Sequence, residues 1–418
     1  MEKFELYEKI LKSELIVAMG CTEPMSLCLS SCRLKEVLGG IPNHIEAYIC
    51  GNIIKNAKSV TVPNTNGMQG LKAAIAAGLY ASDSKLDLEI LSDLSKENIN
   101  YIKEVLANNL INVNLADSNK SLYIKLVGTR GNDTATVIIE DLHNNITYIE
   151  LNGKTILSKE DIYKEKKKEY ENLTVKDIYD FAETWDLTNL KPYLLRQLEY
   201  NYNIAVEGLK NSYGARVGKI LLLNAKCLKD KAKAYTAAAS DARMAGCDMP
   251  VVIISGSGNQ GITASVPLAV YAKELKIEEN RLLRALIISD LVTLEEKSDI
   301  GRLSAFCGAI SAGAAAGAGI AYLLGGDYEA ISHTIVNGLA LASGIICDGA
   351  KSSCAGKIAL ALESGILGYQ MYLNETEFKA GEGIIKKGVD NTIKQVGRLA
   401  RKGMKETDKE ILRMMIED

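Results

Sequence analysis

Beyond about residue 235 the chain is written largely in glycine and alanine, in runs such as AYTAAASDARMA and FCGAISAGAAAGAGIAYLL. Elements built from such small side chains must pack by close backbone approach rather than by interlocking bulk. Aromatics make up only 6% of the 418 residues, whereas glycine occurs 35 times. A composition of 47% hydrophobic and 24% charged residues is that of a globular protein. At this length a core closes readily, as one large unit or as two to three domains.

Residues 1 to about 40 carry helical periodicity, broken by GCTEP at 20–24 and stopped by GGIP at 39–42. Further helices are expected over 43–56 and 67–79, flanking VTVPNTNGMQG, a turn-rich stretch suited to tight backbone geometry or to a binding loop. Between about 85 and 153 the pattern changes to alternation. NLINVNLADS, SLYIKLVGT, TATVIIEDL and NITYIEL read as successive strands of an antiparallel sheet, with turns at RGND and HNN. A charged connector spans 158–171, and a helix then carries the single tryptophan, Trp185. From Leu190 onward the text is almost wholly helical, ending in a charged, solvated helix over 400–418. The expected fold is α+β: a mainly helical core domain with a smaller inserted α/β sandwich domain. Residues 1–84 complete the helical core, 85–185 form the insertion, and 186–418 supply the main helical domain.

A formal charge of −3, from 49 basic and 52 acidic residues without a strongly basic stretch, argues against a nucleic-acid partner. A small-molecule substrate is the expected partner. The opening MEKFELYEKILKSEL lacks the basic and apolar regions of a signal peptide, so a cytoplasmic protein is expected. Residues 306–324 have the length of a membrane span, but their weak hydrophobicity and lack of basic or aromatic anchors mark a buried core helix instead.

Nine cysteines without export signals should be free thiols. Cys307, in AFCGAISAG, and Cys347 and Cys354, in GIICDGAKSSCAGK, are flanked by residues small enough to leave room for something bulkier than a side chain. They read either as packed thiols or as ligands. On one straight helix Cys347 and Cys354 would lie roughly 10 Å apart along the axis, but Asp348 and Gly349 suggest a turn before a helix starting near Ser352, which can fold the first thiol back toward the second. Zinc is a competing metal, although no C-x2-C knuckle is present and histidine occurs only at His44, His143 and His333. His143 falls in a turn of the sheet module and is expected at the surface; His333 reads either as a core histidine or as a proton carrier.

VVIISGSGNQGITASVP at 251–267 is an apolar run, a Gly-Ser loop and a helix start. Its backbone N–H groups and the hydroxyls of Ser255, Ser257 and Thr263 suit a carboxylate or phosphate. It matches neither dinucleotide-binding nor P-loop spacing. It does echo the S-G-N-x-G loop of pyridoxal-phosphate enzymes, but neither a clear Schiff-base lysine nor a second glycine-rich phosphate loop accompanies it; Lys72 stands in NGMQGLK. In GCTEP, Cys21 is either a turn residue or a thiol whose pKa a helix N-terminus would lower.

Taken together, GCTEP, PNTNGMQG, SGSGNQGITASVP, Cys307 and CDGAKSSCAGK resemble the L-cysteine desulfidase family, related to the iron–sulfur L-serine dehydratases, over nearly the whole chain. That resemblance implies a lyase converting L-cysteine and water to hydrogen sulfide, ammonia and pyruvate. It implies a [4Fe-4S] cluster on Cys307, Cys347 and Cys354 with one iron left open, and Cys21 as proton acceptor. Asn64 and Asn66, together with Ser255, Ser257, Asn259 and Gln260 of the glycine loop, are then the expected substrate-binding residues. Serine dehydratases separate the last two ligands by a longer C-D-P-x-x-G-type loop, whereas this chain has CDGAKSSC; that favours the desulfidase branch and leaves L-serine as an alternative substrate. A non-enzymatic iron–sulfur structural or sensing protein is the remaining alternative. A homo-oligomer is compatible with all of these readings.

Overall fold

Small residues set how the helices meet. In the computed structural model, which describes residues 2–159, 169–170 and 172–416, the N-terminal part runs α1 (Glu2–Glu14), β1 (Ile16–Met19), α2 (Thr22–Leu38), β2 (His44–Ile49), α3 (Gly51–Ala57), α4 (Gly70–Gly78) and α5 (Asn98–Ala107). It continues through β3 (Ile111–Leu115), β4 (Tyr123–Arg130), β5 (Asp133–Glu140), β6 (Ile146–Leu151) and β7 (Lys154–Ser158). The helical part follows: α6 (Val175–Thr184), α7 (Lys191–Lys210), α8 (Val217–Leu223), α9 (Leu228–Met244), β8 (Pro250–Ile253), α10 (Gly258–Leu275) and α11 (Glu279–Ile300). The last elements are α12 (Gly308–Leu323), α13 (Tyr328–Ala342), α14 (Cys354–Leu373), α15 (Val389–Arg398) and α16 (Lys405–Ile416).

Helix α12 is buried from Ala309 to its end, and it crosses α14 glycine to glycine. A Cβ built on Gly365 would stand 2.2 Å from the Gly313 carbonyl oxygen, and one on Gly317 would stand 2.6 Å from the Gly365 carbonyl carbon. No larger residue fits, because the obstructing atoms are backbone and cannot rotate away. The expectation of a buried Gly-Ala helix is met here. Among the described residues no helix is long and apolar enough to cross a membrane.

The second layer is a six-stranded sheet of order β3-β2-β4-β5-β6-β7. Helix α2 lies across β4 and β5, with Leu34 pressed onto Gly128, where a Cβ would come within 2.7 Å of Leu34 Cδ2. The protein is thus mostly helical with a smaller inserted β-sheet domain. The RGND and HNN turns close the β4–β5 and β5–β6 hairpins as expected.

Three local expectations change. Residues 44–49 form a strand, not a helix: Ile45, Ala47 and Ile49 alternate inward, and pairing with β3 on one side and β4 on the other satisfies the backbone. Because β2 runs parallel to β3 and antiparallel to β4, the sheet is mixed rather than wholly antiparallel. Ile16–Met19, inside the first helical pattern, is a strand paired antiparallel with β8. Most of the charged connector at 158–171 lies outside the described residues, as does the end of the stretch 400–418; the described part of the latter includes helix α16, with an exposed Met414 and Ile411 tucked inward.

Replacing Gly365 by valine should cost roughly 3 kcal/mol of stability, since the added carbons meet backbone on α12. Gly356 on the same helix faces open space, so Gly356→Ala should leave the melting temperature unchanged or slightly raised. Thermal denaturation of the two variants checks the contrast.

Candidate active site

Cys307 and Cys347 are brought together by backbone. Phe306 and Ile346 form an isolated antiparallel bridge, with Cys307 N–H donating to Ile345 C=O at 3.1 Å and Cys347 N–H to Ala305 C=O at 2.6 Å. Each cysteine therefore stands one residue beyond the bridge. Cys307 is the N-cap of α12. The chain then turns at Gly349, whose φ of 94° and 2.4 Å approach of a built Cβ to the Lys55 carbonyl oxygen both require glycine. Asp348 holds the turn by pairing with Lys351 and Lys357, and Lys357 also donates to Ile346 C=O at 2.8 Å. The next helix starts at Cys354, whose thiol lines the same pocket as the other two.

Cys21 arrives from the opposite end of the chain. It caps α2, after a turn at Gly20 that packs against Pro63 of the PNTNG loop. The hydroxyl of Thr22 donates to Gly256 C=O at 2.8 Å, joining this turn to the glycine loop. In that loop Ser255 and Gly256 take positive φ, and Ile254 and Ser257 exchange backbone hydrogen bonds of 3.2 and 3.0 Å before α10 begins.

One pocket is lined by Cys21, Cys307, Cys347, Cys354, Ser257, Asn259 and Gln260. Ser255 is buried in the turn and does not line it. Asn64 and Asn66 do not line it either: both take left-handed φ, Asn64 donates to Leu91 C=O at 2.9 Å, and Asn66 is exposed. Their loop instead buttresses Gly20. Among the described residues no three or more His, Cys, Asp or Glu side chains are grouped so as to hold a metal ion. His333 lies elsewhere, half-buried and 2.5 Å from Glu377.

The chain from residue 85 to 413 matches the family model described as "Serine dehydratase alpha chain". The chain belongs to the serine dehydratase alpha chain family. A UPF0597 protein of Desulfitobacterium hafniense is 47% identical over 99% of this chain and 97% of its own length. UPF0597 proteins of Finegoldia magna and Treponema denticola are 48% and 43% identical, over 98% and 100% of this chain and 99% of each relative.

In this member of the serine dehydratase alpha chain family the pocket is strongly cationic. Arg243, Lys297, Arg302 and Lys357 all line it. Burial lowers the Lys297 ammonium to about 8, against the pull of the Cys347 and Cys307 sulfurs. Burial, and then the neighbouring Cys347, push the Cys307 thiol up to about 12. The charges of Cys307, Cys347 and Cys354 thus act on one another across a short distance.

Glu23, also on the pocket wall, is the counterweight. Burial alone would raise its carboxyl, but the His143 imidazole, 3.7 Å away, and the Cys21 thiol hold it down at about 2. Cys21 Sγ–H donates to Glu23 Oε2 at 3.1 Å, and Asn56 donates to Oε1 at 2.9 Å. Two expectations fail here. His143 is buried at the β5–β6 turn, its carbonyl receiving Ser26 Oγ at 2.6 Å, because that hairpin folds back onto α2 instead of meeting solvent. The Cys21 thiol is raised well above its ordinary pKa, not lowered: burial and the adjacent Glu23 outweigh Arg243. Glu23 stood inside the GCTEP motif and Arg243 in the small-residue run TAAASDARMA, whereas Lys297, within the charged LEEKSD, carried no signal that set it apart.

A carboxylate held down to about 2 contributes stability that is complete above about 4.5 and drains as pH falls toward 2. Glu23→Gln should therefore flatten the loss of stability across that acid window, which urea titrations at a series of pH values would register.

Proposed function

We propose that this protein is an L-cysteine desulfidase that carries a [4Fe-4S] cluster on Cys307, Cys347 and Cys354, with Cys21 as the proton acceptor. The observation that carries this reading is that four cysteines from three distant stretches of the chain line one pocket, three of them within electrostatic reach of one another. The donor set fits the group: a cluster gives each thiolate its own iron, so the thiols need not crowd around a single ion. The surrounding ammonium and guanidinium groups offset the charge of three thiolates. On this reading the helices of residues 1–84 and 186–418 form the catalytic unit, while strand β2 joins residues 85–185 in the inserted sheet. When bound, the cluster would supply a Lewis-acidic iron with an open position.

The protein's own residues divide the remaining work. Backbone N–H groups at the start of α10 and the Asn259 side chain hold the substrate carboxylate. Cys21, as thiolate, takes the Cα proton, and the nearby Arg243 charge is what favours the thiolate against burial and Glu23. The Cβ–S bond breaks and sulfide departs. Aminoacrylate then tautomerises to the imine, and water releases ammonia and pyruvate. The buried position of Cys21 suits this task, since a thiolate poor in solvent is a stronger base.

Protein purified without oxygen should be brown, contain iron and acid-labile sulfide in equal amounts, and release sulfide and pyruvate from L-cysteine. A pyridoxal enzyme would instead survive an iron chelator and react with hydroxylamine. Cys307→Ala, Cys347→Ala or Cys354→Ala should each lose the colour, while Cys21→Ala should keep it and lose turnover by about three orders of magnitude. A colourless, metal-free and active protein would sink the reading. Because the matched family model carries the name of serine dehydratase, L-serine is the second substrate to assay.

A further inference from the structure

Among the described residues Arg243 is a buried cation without a carboxylate partner. It is 2% exposed on α9, lines the pocket, and its Nε has no hydrogen-bond acceptor. A charge removed from water in this way is expensive unless something compensates it. Its surroundings point to the compensation. The guanidinium lies against the first turn of α10: a Cβ on Gly258 would come within 2.3 Å of Arg243 Nε and 2.7 Å of Cζ, so glycine there makes the space for it.

That turn is itself rich in unsatisfied donors. The first intrahelical bond runs from Gly261 N–H to Ser257 C=O at 3.1 Å, which leaves the N–H groups of Gly258, Asn259 and Gln260 ahead of the helix's own ladder. Ser257 provides no side-chain cap. Asn259 Oδ1 and Gln260 Oε1 are buried acceptors without donors, and the Asn259 amide N–H donates to the Met244 sulfur at 3.7 Å, a weak acceptor that an anion can displace. An 18-residue helix directs its positive end at the same place.

We infer that Arg243 and the N-terminal turn of α10 form the subsite that recognises a substrate carboxylate, so that the pocket accepts carboxylic acids and rejects the corresponding amines. This rests on the reading of the pocket as a substrate site and goes beyond it by naming the cation that makes the carboxylate obligatory. A guanidinium offers two parallel N–H groups to the two oxygens, and the helix amides approach from the other side. Glu23, held ionised in the lining of the same pocket, offers the opposite charge to an α-ammonium, which fits an amino acid as the complete ligand.

The test measures binding rather than turnover. Three non-eliminating probes, L-alanine, propionate and ethylamine, are titrated calorimetrically under argon into the full-length wild type, Arg243→Met and Arg243→Lys. Wild type should bind L-alanine and propionate and ignore ethylamine. Arg243→Met should weaken L-alanine and propionate by roughly 30-fold or more, and Arg243→Lys by less. Arg243→Met should also raise the melting temperature, because a buried unpaired charge is replaced by an apolar side chain of similar length; a structural arginine would give the reverse. Unchanged propionate binding in Arg243→Met, no binding of either acid by the wild type, or a lowered melting temperature overturns the inference. If Arg243 served only the Cys21 thiolate, propionate binding would be unaffected while the pH profile of Cys21 alkylation moved, which also overturns it. Absence of sulfide release with Arg243-dependent propionate binding intact would defeat the desulfidase reading and leave this subsite standing.

Discussion

Two backbone hydrogen bonds, from Cys307 to Ile345 and from Cys347 to Ala305, are the contact on which the rest of the site depends. They tie the start of α12 to the loop that precedes α14. Behind them the two helices touch glycine to glycine at Gly313, Gly317 and Gly365. A wider helix crossing would spread the two ends apart and strain the bridge. The Gly-Ala composition of the C-terminal half therefore has a consequence for the site, because small residues keep two helix starts close enough for their cysteines to share one cavity.

The same closeness creates an electrostatic problem. Lys297 and Arg243 are nearly fully buried, and Glu23 is the acidic side chain on the pocket wall. Lys297 yields partly, its ammonium falling to about 8 under burial. Arg243 cannot yield, because a guanidinium keeps its proton in proteins. Cores seldom retain such charges for stability, since apolar residues of similar volume do at least as well. Their concentration around one cavity, beside three thiols, gives that cavity a positively charged lining.

How much of this was legible in the sequence depended on whether the signal was local. The β4–β5 and β5–β6 hairpins could be read from alternation and turn residues, and the turn before α14 from Asp348 and Gly349. The pocket membership of Cys21, Ser257, Asn259, Gln260 and the three cysteines followed from motifs that the resemblance joined. Strand β2 was missed because six residues, HIEAYI, carry a pattern short enough to pass for helix, and only pairing with β3 and β4 decides it. Asn64 and Asn66 looked like ligands because Asn and Gly favour both binding loops and left-handed turns; the structure uses them for the second purpose. Burial of His143 was unreadable, since a turn histidine looks exposed until the fold of α2 against that hairpin is known.

His143 also shows why the inserted sheet bears on the pocket. The imidazole reaches Glu23 from the β5–β6 turn, and its ring lies so close to Gly256 that a Cβ there would come within 2.9 Å of it. Ser26 on α2 holds the same turn through the His143 carbonyl. The hairpin therefore touches both the GCTEP helix and the glycine loop. Of the influences on Glu23, burial pushes the carboxyl up and His143 heads those that pull it down. Displacing the hairpin removes that pull, so the ionisation of the pocket is tied to the seating of the sheet on α2.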